Sequence, residues 1–297
     1  MRKIRRRNPI ILTHKGVGLV GGSVVHFPCG KLPIGPARQL TRRPAQPASK
    51  AVRCGAGECL AIWRLRAGSS AGRRVTRGVI MRASRRDITI EIENATLAGS
   101  LTVPEEARGL VIFAHGSGSG RHSPRNRAVA EGLNAAALAT LLLDLLTPAE
   151  DAVDRRTAEM RFDIPLLTGR VRAAVDWASR EPEIAELPMG LFGASTGGAA
   201  ALAAAAEASV VCALVLRGGR PDLAGQALAE VRAPTLMIVG GEDRVVLELN
   251  RQACARMRAD CRVHVIPGAT HLFEEPGALA EVSRLAGEWF TRLLPAL

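Results

Sequence analysis

The chain has 297 residues, of which 47% are hydrophobic and 23% charged, and a formal net charge of +12. This is ordinary globular composition with enough apolar material for a large core, and no run of eighteen apolar residues offers a transmembrane helix. Six cysteines are too few for a disulfide scaffold, and Cys54 and Cys59 lack the second pair that a zinc site needs, so the thiols read as inert.

The basic charge is confined to the leading segment. Residues 1–80 carry 17 Lys and Arg against one acid, Glu58, and hold all four lysines (Lys3, Lys15, Lys31, Lys50), whereas the remainder carries a slight excess of acids. Gly21-Gly22, Pro28, Pro33, Pro36, Pro44 and Pro47 interrupt the segment, which shows no sustained period of 2 or 3.6. It reads as a disordered basic extension, and the change in charge favours a native start at Met81. A secretory signal is interrupted by His14 and Lys15, and an organellar transit peptide fits only in being Arg-rich and acid-poor. A nucleic-acid arm would lack stacking aromatics beyond Phe27 and Trp63.

From Asp87 the pattern is regular. Ile88, Ile90 and Ile92 alternate with polar residues, and Leu97, Leu101 and Val103 continue a second short strand closed by Pro104. Gly109 to Ala114 is a continuous apolar run, as a strand buried on both faces requires. Ser123-Pro124 starts a helix. Strands are predicted over Leu138–Leu143, Met189–Phe192, Val210–Leu216, Thr235–Val239 and Val263–Ile266. Helices are predicted over Ile164–Ser179, Thr196–Glu207, Leu247–Ala259 and Ala278–Leu294. Two antiparallel strands followed by repeated strand–helix units specify an α/β fold, a mostly parallel sheet covered by helices on both faces, over residues 81–297. Ligands in such sheets sit at the carboxyl ends of the strands.

The residues after the strands carry the chemistry. Gly193-Ala194-Ser195-Thr196-Gly197 is a G-x-S-x-G sequence between a strand and a helix, the context of a nucleophile elbow. Its competing reading is a helix cap. An acid is expected after a later strand, where Glu242 and Asp243 follow Gly241, and Asp243 is preferred from the short loop. A histidine is expected after the next strand, where His271 stands. A serine becomes a nucleophile when a neutral imidazole takes its proton, and a carboxylate holds that imidazole in the right tautomer. The oxyanion hole is assigned to the backbone N–H groups of Thr196 and of Ser117, with Gly116 as the alternative to Ser117. His115 reads as a residue shaping its loop, Asp144, Arg161 and Asp163 as buried ion pairs, and Arg217, Arg220 and Asp222 as an anion site or a salt-bridge cluster. No lid-like insertion stands out, which implies a shallow pocket for small substrates.

The stretches Phe113–Asn126, Phe192–Leu202, Arg217–Gly225, Ala233–Val246 and Pro267–Gly277 resemble the dienelactone hydrolase-like branch of the α/β-hydrolases. The resemblance implies the α/β-hydrolase fold and acyl transfer to water by Ser195, Asp243 and His271. It implies no cofactor or metal, a small-molecule substrate, no nucleic-acid or membrane partner for the hydrolase domain, and a cytoplasmic setting. Dienelactone hydrolase itself uses a cysteine where this chain has Ser195, so that substrate is not implied. Similar domains occur attached to phosphoribosyltransferase-like domains, which residues 1–80 do not resemble. Two other readings compete: a nucleotide-binding protein using the Gly116–Gly120 loop, whose spacing fails at Arg121, and a catalytically inactive hydrolase-fold binding protein. Oligomeric state is not legible in the sequence.

Overall fold

The computed structural model describes residues 83–294. The expectations for residues 1–80, for Cys54 and Cys59 and for a start at Met81 lie outside the described residues. The first two strands, β1 (Ala83–Ile92) and β2 (Ala95–Pro104), form a hairpin in which Ile88, Ile90, Leu97 and Leu101 are buried. Then come β3 (Leu110–Ala114), β4 (Ala139–Leu143), β5 (Met189–Ala194), β6 (Val211–Arg217), β7 (Thr235–Gly240) and β8 (Cys261–Ile266). They complete one eight-stranded sheet in the order β1-β2-β4-β3-β5-β6-β7-β8. β2 runs antiparallel to both of its neighbours, and β3 to β8 are mutually parallel. Every residue of β3, β4, β5 and β7 is buried, which is why these strands read as unbroken apolar runs rather than as alternation.

The described residues form six α-helices, in chain order α1 (Pro124–Ala135), α2 (Pro148–Thr157), α3 (Ile164–Ala178), α4 (Thr196–Glu207), α5 (Arg244–Arg256) and α6 (Ala278–Leu293). Helices α1 and α6 pack Leu133, Val282 and Phe290 against Phe113, Phe192 and Val215 on one face of the sheet. On the other face, α3 and α4 pack Val171 and Leu202 against Ile112, Leu191 and Leu214. The architecture is thus the α/β arrangement expected. Helix α5 begins three residues before the predicted Leu247, because the Asp243 side chain caps it.

Helix α2 was not anticipated. Only Asp154 is buried along it, so it carries no apolar stripe to betray it. It is set instead by its first turn: Thr147 and Glu150 form a reciprocal capping box and Pro148 pre-sets the backbone. A 3₁₀ stretch over Pro221–Ala229 was also missed. None of the described helices is long and apolar enough to cross a membrane.

One reading is corrected. Cys254 at the end of α5 and Cys261 at the start of β8 form a disulfide, with Cα atoms 5.5 Å apart. These thiols are not inert: a seven-residue separation conceals a helix-to-strand reversal that returns the chain onto itself. Closing a loop of this size restricts the unfolded chain by about 2–3 kcal/mol. Cys254→Ser is therefore expected to lower the thermal midpoint of the oxidised protein by several degrees and to leave that of protein kept in reductant nearly unchanged, as scanning calorimetry would show.

Candidate active site

Ser195 is held in a strained turn. It follows β5, between β3 and β6 in the sheet, and has φ 50° and ψ −122°, a combination that costs a non-glycine residue about 1–3 kcal/mol. The surroundings enforce it. The Ser195 N–H donates to Arg217 O at 3.3 Å, and its carbonyl accepts from the N–H groups of Gly198 and Arg220, both at 3.0 Å. A Cβ on Gly193 would meet the Gly198 Cα, and one on Gly197 would collide with the carbonyls of Ala114 and His115, so the two glycines allow the strand and helix to close this tightly. The Ser195 side chain makes no capping hydrogen bond to α4, and the reading of Ser195 as a helix cap therefore fails.

The β3–α1 loop lies directly against this turn. A Cβ on Gly116 would come within 2.9 Å of the Ser195 Cβ, and the hydroxyls of Ser117 and Thr196 are 3.1 Å apart. Thr196 opens α4, where the helix leaves its first N–H groups without intrahelical acceptors. The main-chain N–H groups of Thr196, Ser117 and Gly116 donate to no backbone carbonyl among the described residues. An oxyanion above Ser195 would meet donors from both sides, together with the positive end of α4.

The acid and the imidazole meet on the opposite flank. His271 Nδ1 donates to Asp243 Oδ2 at 2.6 Å; Glu242 makes no such contact. The β7 and β8 loops are stitched together to permit this, with Gly241 N–H donating to Ile266 O at 2.9 Å and Glu242 N–H to Ala269 O at 3.0 Å. The imidazole rests on the turn after β6: a Cβ on Gly218 would lie 3.3 Å from both Nδ1 and Cε1 of His271. Gly218 follows Arg217, the cross-strand partner of Ala194, so the ring stands beside the Ser195 turn. The structure does not join the Ser195 hydroxyl to His271 by a hydrogen bond.

The flanking residues divide into those that fix loops and those that face the cavity. His115 is buried; its Nε2 accepts the Leu145 N–H at 2.9 Å, which obliges Nδ1 to donate to Gly116 O, also at 2.9 Å. The ring is thus a neutral strut between the β3 and β4 loops, and burial holds its pKa below the ordinary value. Of the anticipated ion pairs, Asp144 binds Arg121. Arg161 binds Asp154 and not Asp144, while Asp163 instead caps α3 through the Leu166 N–H. Asp154 was missed because nothing marked α2. Arg220 and Asp222 form a two-pronged pair at 2.8 and 2.7 Å. Arg217 stands apart from them: its Nη1 is buried with no hydrogen-bond partner, and burial, aided by the nearby Arg125, pushes its pKa down to about 10.

A cavity of about 830 Å³ opens beside Ser117 and Thr196. Its far wall comes from α2 and the turn after it, and its lining reaches Thr196 but not Ser195, Asp243 or His271. Arg161 lines it with Nε and Nη2 fixed on Asp154, leaving Nη1 without a hydrogen bond among the described residues and close to Gly118. That amino group offers a donor to an acceptor atom on a bound molecule. Val245 and Leu272, close in sequence to Asp243 and His271, are exposed apolar side chains.

The fold and the strand-end site are those of an α/β-hydrolase. Residues 107–282 match the family described as alpha/beta hydrolase domain, and the chain belongs to it. Within that superfamily it is dienelactone hydrolase-like. It is 52% identical to dienelactone hydrolase from Anabaena variabilis, with a TM-score of 0.70, covering 71% of this chain and 99% of that one. Est1E from Butyrivibrio proteoclasticus, at 19% identity and TM-score 0.59 over 70% of this chain and 98% of its own, shares the fold. Two Mycobacterium tuberculosis proteins named "Putative phosphoribosyl transferase" are 59% identical over 195 residues, 65% of this chain. The match spans only 43% of their length. The nucleotide-binding reading of the Gly116–Gly120 loop is thereby set aside: the loop abuts the Ser195 turn, and the Asp144 carboxylate that would meet a ribose is occupied by Arg121.

A neutral His115 has a pH signature. Its pKa is depressed from the model-compound value of 6.5, so below that value the unfolded chain binds the proton first and the folded state loses stability as pH falls. Urea unfolding should show a decline of up to about 1.4 kcal/mol per pH unit below 6.5 from this one group. His115→Gln, which keeps one donor and one acceptor, should remove that component.

Proposed function

We propose that this protein is a serine hydrolase that cleaves a small ester, thioester or lactone through an acyl-enzyme intermediate. The observation that carries the reading is the uncapped Ser195 hydroxyl, held on a strained backbone between unpaired N–H donors and a His271–Asp243 pair. His271 Nε2 takes the hydroxyl proton as Oγ attacks the carbonyl carbon, and the carbonyl electrons move onto the oxygen facing Thr196 and Ser117. The tetrahedral adduct collapses, the leaving group departs with the proton from His271, and a water repeats the sequence to release the acid and restore Ser195. Asp243 keeps the Nδ1 proton in place and stabilises the imidazolium. The mechanism requires Oγ to reach the imidazole, a hydrogen bond that at such sites often tightens only when substrate is bound.

The likeness to a dienelactone hydrolase supports a small carbonyl substrate. No transferase activity is assigned to this chain, because the transferase name belongs to proteins of more than twice the matched length.

The decisive test is turnover of p-nitrophenyl butyrate with fluorophosphonate labelling. Ser195→Ala is expected to lower kcat by roughly 10³–10⁶-fold and abolish labelling; labelling elsewhere, or unchanged turnover, would refute the assignment. Asp243→Asn should lower kcat by about 10⁴-fold by stabilising the wrong imidazole tautomer, whereas Glu242→Gln should change it less than about twofold. If the wild type neither labels nor turns over, the inactive binding-protein reading takes its place.

A further inference from the structure

We infer that Asn250 is a positioning residue for this site, fixing the Asp243–His271 pair relative to the Ser195 turn; the inference rests on the serine hydrolase reading above. Asn250 lies on α5 and is fully buried. Its Nδ2 donates to Gly219 O at 2.9 Å and to Val246 O at 2.7 Å. Both neighbours are carbonyls, so the nitrogen and not the oxygen of the amide must face them. The Asn250 Oδ1 is buried without a hydrogen-bond partner, so leaving it unpaired costs stability.

The two acceptors belong to the two halves of the site. Val246 is in the first turn of α5, and its N–H reaches Asp243 Oδ1 at 3.4 Å. Gly219 is the middle of the turn after β6. Gly218, before it, supports the His271 ring, and Arg220, after it, donates its N–H to the Ser195 carbonyl at 3.0 Å. A closed circuit results: Asp243 to Val246, Val246 to Asn250, Asn250 to Gly219, the turn to both Ser195 and His271, and His271 back to Asp243. The turn after β6 is tied to β7 by the Gly218 N–H donating to Ile238 O at 2.8 Å, and Asn250 alone among the described side chains hydrogen-bonds the Gly219 carbonyl, linking the turn to α5 as well. Misplacing reacting groups by about 1 Å can cost roughly 100-fold in rate.

Asn250→Leu, which keeps the branching at Cγ but is bulkier, removes both donors. The expected result is a fall of roughly 10- to 100-fold in kcat for p-nitrophenyl butyrate with KM within about twofold. The rate of fluorophosphonate labelling at Ser195 should fall in parallel, and Asn250→Ser, which restores one donor, should recover part of both. Asn250→Ser carries the comparison by itself should the leucine variant not fold, with a lowered kcat still expected. A variant that melts earlier but keeps wild-type kcat and labelling rate well below its melting point overturns the inference, because the role would then be structural only. Wild-type protein that neither labels nor turns over would instead overturn the hydrolase reading, a distinct result.

Discussion

The conformation of Ser195 is the constraint on which the rest of this molecule depends. A residue with a Cβ occupies φ 50° and ψ −122° only where its surroundings leave nothing better. Here both of its backbone polar groups are engaged, on Arg217, Gly198 and Arg220, and the preceding strand is buried at every residue. The side chain is consequently raised off the end of the sheet and kept from capping α4. A relaxed backbone would let the hydroxyl turn back onto the helix N–H groups and occupy the donors that an oxyanion needs.

The neighbouring loops are fixed beside this turn by polar contacts as well as by the burial of residues such as Ala269 and Phe273. The neutral His115 ring ties the β3 loop to Leu145 after β4 and so steadies Gly116, which lies so near Ser195 that any Cβ on it would crowd the Ser195 Cβ. On the other flank, main-chain bonds bind the β7 loop to the β8 loop and bring Asp243 to His271. The turn after β6 lies between the two flanks. Preorganised dipoles and donors of this kind act without reorganising during reaction, which is where such sites gain most of their rate.

The sequence discloses these parts unequally, for physical reasons. Strands buried on both faces announce themselves as apolar runs, so β3, β5 and β7 were legible, and with them the places where strand-end chemistry sits. The pattern around Ser195 was legible because close approach demands glycine at 193 and 197. The choice between Glu242 and Asp243 rests on a direction in space, which the order of residues does not encode. Helix α2 was hidden because capping and proline specify it without an apolar face. Arg161 was recognised as charged and pairable, but its partner Asp154 lies on that hidden helix. The Cys254–Cys261 disulfide depends on a chain reversal between α5 and β8 that spacing by itself does not reveal.

The same inequality separates the two sides of the site. Ser195, the N–H groups beside it and the imidazole depend on backbone geometry set by the buried sheet. The cavity wall from α2 is anchored by ion pairs: Arg170, itself buried, reaches Glu150 at 2.7 Å, and Arg161 reaches Asp154 at the same distance. Buried pairs are poor sources of net stability, but removing one partner is severe because it strands the other charge. Such a wall is therefore specific in geometry yet weakly tied to the core, so its outline can change by paired substitutions while the sheet keeps the chemistry in register.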